Sequence, residues 1–339
     1  MEPLMVQEAR EAAQVVERLL RENEPEVKSL ARFLKRRMPA FALTLARGSS
    51  DQAALFAKYL LEARLGLLVA SLAPSVTTFY GQVPGAGGVL LAYSQSGESP
   101  DLLEVVRAYR GRGSLTVAFV NREESPLAKE AEVVLPLHAG EERAVAATKS
   151  FLAMLAATVH LLAHLEEGEL GSLLPLLPEA LDQAEAEGEL EALVEAEGVY
   201  VVGRGLTLAA AGEAALKLKE AALLHAEAVS AAELLHGPLA LLSRGLPLLF
   251  FVAKDRPLQA LLALLEELRT QGARVLVLSS EPEALDLASD PLRLPVRLAP
   301  ELDPILMVRA FYPLAARLGR ARGVDVDRPP YLRKVTRTL

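Results

Sequence analysis

Six residues, Ser94-Gln95-Ser96-Gly97-Glu98-Ser99, have the types and spacing to hold an anion. They follow an apolar run, residues 88–93, that reads as a strand, and they open residues 100–109, which read as a helix. A turn between a strand end and a helix start presents backbone N–H groups that have no intrahelical partner. The helix dipole adds positive potential there, and three serine hydroxyls supply further donors. Ser99 fits the N-cap position, with Pro100 at the first helical position. Phosphate is the anion this arrangement suits in an α/β protein, although an ordinary capped helix after a buried strand has the same local signature.

Other chemistries are narrowed by what the chain contains. With no cysteine among its 339 residues it has no disulfide, no thiolate metal site and no cysteine nucleophile. Its five histidines suggest no pair with ligand spacing, and no dinucleotide fingerprint is visible, so neither metal nor nucleotide cofactor is expected. The net charge of −8 opposes non-specific binding to nucleic acid, and no basic stripe interleaved with aromatics offsets it. No charge-free apolar run reaches the ~18 to 20 residues needed to span a bilayer. The N-terminus lacks a basic segment followed by an apolar one. A soluble, cytoplasmic protein is expected, and the scarcity of asparagine, present only at Asn23 and Asn121, fits a heat-adapted source.

The elements that would position the serine loop follow from hydrophobic periodicity. At ~150 residues per domain the length suggests two domains. Residues 1–38 read as two amphipathic helices, one with Val15, Val16, Leu19 and Leu20 on a face, the other with Val27, Leu30, Phe33 and Leu34. Strands are then expected at 41–46, 89–93, 115–120 and 133–137, with helices at 51–65, 101–110 and 146–165. A helical stretch over 174–195 leads into a second pass. Its strands fall at 199–202, 246–252, 274–278 and 292–296, with a long helix after Gly205 and others at 258–270 and 304–318. Such alternation predicts parallel sheets covered by helices on both faces. The two passes align, Ala46-Arg47-Gly48-Ser49 with Gly203-Arg204-Gly205-Leu206 and residues 114–120 with 273–279, which points to duplication. The second copy carries Ala253-Lys254-Asp255-Arg256 in place of the serine loop, so only one phosphate loop survives.

Several separated motifs then carry a resemblance. They are Gly48-Ser49-Ser50, the serine loop, Val145-Ala146-Ala147-Thr148-Lys149, Glu213 to Glu220, His225-Ala226-Glu227, Glu233 to Ala240 with His236 inside it, and Asp325-Val326-Asp327-Arg328-Pro329 with Lys334 close behind. In this order the chain resembles the tandem sugar isomerase (SIS) family, which includes the isomerase half of glucosamine-6-phosphate synthase, over nearly its whole length. The resemblance implies two tandem doubly wound, flavodoxin-like domains. Expected boundaries are N-terminal helices at 1–38, a phosphate-binding domain at 39–170, a helical connector at 171–194, a second domain at 195–322 and a tail at 323–339 that closes over the active site.

The resemblance also implies roles. Glu220 stands where the family has the base that moves a proton between C1 and C2, although beside Lys217 and Lys219 it also reads as a solvated helix residue. His236 matches the ring-opening acid/base, donated by the neighbouring subunit of a homodimer, and imidazole titrates in the range where it can take and give a proton. Lys334 matches the lysine that forms a Schiff base with the open ketose or polarises its carbonyl, with Lys217 assisting. Ser49, Ser50, Ser94, Gln95, Ser96, Ser99 and Val145 match the sugar-phosphate contacts. The chain departs from the family pattern at Arg47, Ser99, Ala147 and Arg333, where a small residue, threonine, serine and a small residue are usual.

The chain opens on the isomerase portion and has no cysteine, so the glutaminase chemistry of the synthases is not expected. The set most resembles isomerising deaminases, which convert glucosamine 6-phosphate and water to fructose 6-phosphate and ammonia. Alternatives are a ketose–aldose isomerase or a deglycase for another amino-sugar phosphate, such as galactosamine 6-phosphate or a fructosamine phosphate, the ammonia-dependent reverse reaction, and a non-catalytic sugar-phosphate sensor. Against a sensor, no DNA-reading helix-turn-helix segment precedes the module.

Overall fold

A computed structural model describes residues 2–334. Two compact units result, and their limits do not follow the chain order. The first comprises Gln14–Glu142, Lys149–Pro175 and, of the tail, Arg333 and Lys334. The second comprises the N-terminal residues to Ala13, Arg143–Thr148 and Leu176–Leu332.

Helices α1 (Leu4–Arg10) and α2 (Ala12–Arg36) open the chain. The two amphipathic helices expected over 1–38 are largely one: α2 runs 25 residues straight through Pro25. Proline removes one backbone donor, and buried apolar residues from Val15 to Leu34 hold the helix on both sides of it. Phe33 departs from its expected core face and is exposed.

The rest of the first unit runs β1 (Phe41–Leu45), α3 (Ser49–Leu65), β2 (Leu68–Ser71), α4 (Pro74–Thr78), β3 (Val89–Ser94), α5 (Pro100–Arg110), β4 (Leu115–Val120), α6 (Pro126–Glu130), β5 (Val133–Pro136), α7 (Lys149–Leu165) and α8 (Leu170–Leu173). All five strands are parallel, in the order β2-β1-β3-β4-β5. Strands β3 and β4 are buried along nearly their whole length, as parallel strands covered on both faces must be.

The second unit holds α9 (Leu177–Gln183), β6 (Gly198–Gly203), α10 (Thr207–Ala222), β7 (His225–Ser230), α11 (Ala231–Leu234), a 3-10 segment (Pro238–Arg244), β8 (Leu248–Val252), α12 (Leu258–Thr270), β9 (Val275–Ser279), α13 (Pro282–Leu285), β10 (Asp290–Arg293) and α14 (Asp303–Ala321). Its sheet order, β7-β6-β8-β9-β10, repeats that of the first unit strand for strand, again all parallel. Both sheets have the flavodoxin-like 2-1-3-4-5 order, whose ligands bind at the carboxyl ends of the strands beside the first and third.

Two features depart from the periodicity reading. The helix expected over 174–195 breaks up: α9 stops at Gln183, and Glu187 pairs antiparallel with Arg293. Gly188 there has φ +121, and an added Cβ would lie 2.7 Å from the Pro291 carbonyl oxygen, so the chain leaves helical geometry to meet β10. Strands β2 and β7 escape that reading because they are edge strands, largely exposed, and lack the apolar run by which buried strands are recognised.

Candidate active site

The serine loop lies where doubly wound folds bind ligands, at the carboxyl end of β3, which pairs with β1. Ser94 is buried and its Oγ accepts the Gly97 N–H at 3.0 Å, while Ser96 Oγ accepts the Glu98 N–H at 3.3 Å. Each hydroxyl thus serves as acceptor inside the loop and keeps its own hydrogen for a ligand. Gly97 has φ +65, and a Cβ there would collide with Ser125 Oγ, so only glycine lets this loop sit against the loop after β4. Ser99 occupies the N-cap position of α5 with Pro100 in the first turn, but its side chain makes no cap bond. The hydroxyl is therefore not consumed by the helix.

After β1, Gly48 caps α3, whose first residues are the half-buried Ser49 and the buried Ser50. Arg47, unusual for the family, serves the architecture here, since its Nε and Nη2 lie 2.9 and 2.8 Å from Asp101 Oδ2. Asp101 is buried in the first turn of α5, so this fork ties the loop after β1 to the helix that follows the serine loop.

Lys334 is tied into the same unit. Its Nζ lies 3.0 Å from Glu142 Oε2, and the Glu142 carboxylate, itself buried, also takes the Ser150 hydroxyl at 2.7 Å and the Ser150 N–H at 3.2 Å. The remainder of the tail, residues 335–339, lies outside the described residues, so the closure expected for it does too.

The second unit carries an acid–base–acid row on α10. Glu213, Lys217 and Glu220 are four and three residues apart and therefore share one helix face. Lys217 Nζ lies 2.5 Å from Glu220 Oε2 and 3.3 Å from Glu213 Oε1, and Tyr312 of α14 donates to Glu213 Oε1 at 3.0 Å. Burial works against the Lys217 ammonium, but Glu213 and Glu220 outweigh it and hold its pKa above the ordinary lysine value. Lys217 and Glu213 have no exposed side-chain surface, whereas the Glu220 side chain is 21% exposed. Of the three, Glu220 alone can present its carboxylate to solvent, and Lys217 is placed to fix it rather than to meet a substrate.

His236 lies on an exposed turn between α11 and the 3-10 segment, its N–H donating to the Glu233 carbonyl at 2.9 Å. Val145 is half-buried in the segment Arg143–Thr148, which Glu8 of α1 anchors. Both Glu8 carboxylate oxygens accept there, from the Arg143 N–H at 2.6 Å and the Ala144 N–H at 3.1 Å. Sequence reasoning misses Glu8 and Glu142, because neither stands in a motif and Arg143, Ala144 and Lys334, which they bind, lie far along the chain from them. A third omission corrects the reading of the histidines. His160 and His164 are four residues apart on α7 and do have helical ligand spacing, and Glu24 of α2 joins them.

Among the described residues, no helix is long and apolar enough to cross a membrane. A family model described as the SIS domain matches residues 42–164 and 192–290. A glutamine–fructose-6-phosphate aminotransferase (isomerizing) from Aeropyrum pernix is 37% identical over 316 residues, covering 86% of this chain and 50% of that protein. This chain thus spans about half the length of the curated relatives it matches. A solved structure from Silicibacter pomeroyi, provisionally named a phosphosugar isomerase, aligns with TM-score 0.87 and 36% identity over 96% of this chain and 100% of that one. The glucosamine-6-phosphate deaminase of Thermotoga maritima shares the fold, with TM-score 0.70 and 23% identity over 96% of this chain and 100% of that one. The two matched segments fall on the two sheets of like topology, and the chain belongs to the SIS domain family.

Proposed function

We propose that this chain is an amino-sugar-phosphate isomerase that acts as a deaminase, converting glucosamine 6-phosphate and water to fructose 6-phosphate and ammonia. The observation that carries the reading is Glu220, a carboxylate with one oxygen fixed on a buried ammonium and an edge left open to solvent. A general base for a C–H proton needs that combination of fixed position and access. The phosphate is assigned to Ser94, Gln95, Ser96 and Ser99 with Ser49 and Ser50, whose hydroxyls and backbone N–H groups follow adjacent parallel strands. Val145 contributes a backbone contact to the sugar.

His236 opens the pyranose ring by moving the proton between the ring oxygen and the C1 hydroxyl. Glu220 then takes the C2 proton and returns it to C1, which turns the 2-amino aldose into a 2-imino ketose. Lys334 stabilises the charge that develops on the enolate oxygen, or attacks the imine carbon to expel ammonia and form a Schiff base that water hydrolyses to the ketose and free lysine. Without that attack, water adds to the imine carbon, and ammonia leaves as the carbonyl forms. Lys217 acts through Glu220, as a positioning residue. The likeness to isomerising aminotransferases and to a phosphosugar isomerase supports the substrate class.

Purified protein incubated with glucosamine 6-phosphate should release ammonia and fructose 6-phosphate in equal amounts. Glu220→Gln should lower kcat by about 10²- to 10⁴-fold, the usual range for a general base, and Lys334→Ala should also be impaired. Ammonia-free interconversion of ketose and aldose phosphates would leave an isomerase without deamination. Thermal stabilisation by sugar phosphates with no turnover on any of them would make the chain a sensor and end the catalytic reading.

A further inference from the structure

The first unit holds a second cluster of titratable side chains for which the proposed reaction has no use. His160 and His164 project from one face of α7, and Glu24 of α2 reaches both: its Oε2 lies 2.8 Å from His160 Nε2 and 3.0 Å from His164 Nε2. All three donor atoms lie within 4.8 Å of one another. His160 is buried, while the His164 and Glu24 side chains are 27% and 37% exposed. The cluster is closed on one side and reachable from solvent on the other.

We propose that Glu24, His160 and His164 form a binding site for a divalent transition ion of the zinc class, which fastens α2 to α7. Two imidazoles and one carboxylate are a donor set that Zn²⁺ accepts, with a fourth position left for water, whereas Mg²⁺ and Ca²⁺ prefer oxygen-only sets. Bonds of ~2.0 to 2.1 Å in a tetrahedral arrangement require donors about 3.3 Å apart. Glu24 Oε2 therefore has to draw back by a few tenths of an ångström from each ring, a movement open to a partly exposed carboxylate, and the two Nε2 atoms, within 4.8 Å of one another, have to settle at the same spacing. To bind it, each imidazole has to turn an Nε2 lone pair to the ion and carry its proton on Nδ1, the reverse of the tautomer that donates to Glu24. Lys28 Nζ, 2.7 Å from Glu24 Oε1, is the cation that already sits at this carboxylate, and its exposed side chain is free to swing aside. The i,i+4 histidine pair fixes two donors on one rigid helix, and the third comes from a helix more than a hundred residues away in sequence.

Tag-free full-length protein, stripped with a chelator, should bind one Zn²⁺ per chain by calorimetric titration and gain thermal stability, while Mg²⁺ does neither. His164→Gln and Glu24→Gln should each weaken Zn²⁺ binding at least about tenfold, the lower bound of the loss even outer-shell partners produce. Both side chains are partly exposed, so the variants should fold, and metal-free melting curves and circular dichroism verify this. His225→Gln, which alters a histidine outside the cluster, should bind as wild type does. Absence of stoichiometric Zn²⁺ binding, equal response to Mg²⁺, or unchanged affinity in folded His164→Gln would overturn the assignment.

Discussion

Asp303 shows how one side chain sets a pH dependence. It stands at the start of α14, buried, with its Oδ1 accepting the Leu298 N–H at 2.8 Å. Burial raises its pKa from the ordinary 3.8 to about 6, against the opposing pull of that hydrogen bond and of Arg297. Between these values the unfolded chain has released the proton and the folded chain keeps it, so stability falls as pH rises from about 4 to about 6. The loss amounts to about 3 kcal/mol, complete above pH 6 and absent below pH 4. Asp303→Asn should remove this component. Its unfolding free energy by urea titration should gain on wild type across that interval, and parallel curves would refute the assignment. Residues such as Asp303, Glu8 and Glu142 are not legible in the sequence, since a carboxylate looks alike there whether it is solvated or buried against a partner. Ser94 and Gly97 are legible, because strand, turn and helix signals meet at that point.

At the scale of elements, α10 and α14 depend on a small residue at their crossing. A Cβ on Gly319 would collide with the Ala221 carbonyl oxygen, so α14 lies against the α10 backbone with no room for a methyl. The closeness also lets Tyr312 reach Glu213 and brace the row that ends in Glu220. Gly319→Ala should destabilise the protein by about 1–3 kcal/mol through overpacking, measurable by denaturation, and should lower kcat more than it raises KM. Unchanged stability would mean that the helices separate at no cost. The long helices and buried strands of this fold can be read from periodicity, α12 and β4 to the residue and α3 and β8 with a start displaced by two residues. Strands β2 and β7 and the unwound run after Gln183 stay hidden, because few of their residues are buried and they carry no sustained apolar pattern. The Glu24–His160–His164 cluster is hidden for a related reason, its two halves belonging to different helices.

At the scale of the molecule, duplication is plain in the matching strand orders, yet the copies have diverged in chemistry. The first keeps a serine loop after its third strand, and the second has Ala253-Lys254-Asp255-Arg256 there and bears Glu220 and His236 instead. His236 lies on an exposed turn with the exposed apolar side chains Leu235 and Leu241 nearby, which suits a residue offered to a second copy. With a shared site in a symmetric dimer, mixing Glu220→Gln with His236→Ala subunits should restore about a quarter of wild-type turnover, since half the dimers are mixed and each has one intact site. No recovery after verified subunit exchange would place both groups in one subunit.

The bond between Lys334 and the buried Glu142 also sets an order on biosynthesis. The ribosome finishes β1 to β5 long before it reaches position 334, so Glu142 must wait through nearly two hundred intervening residues for that ammonium. Until then Glu142, in the loop after β5, lacks this ammonium, whatever it has gained from Ser150, which donates to it in the folded protein. Emergence of Lys334, rather than completion of the sheet, is what makes this bond possible.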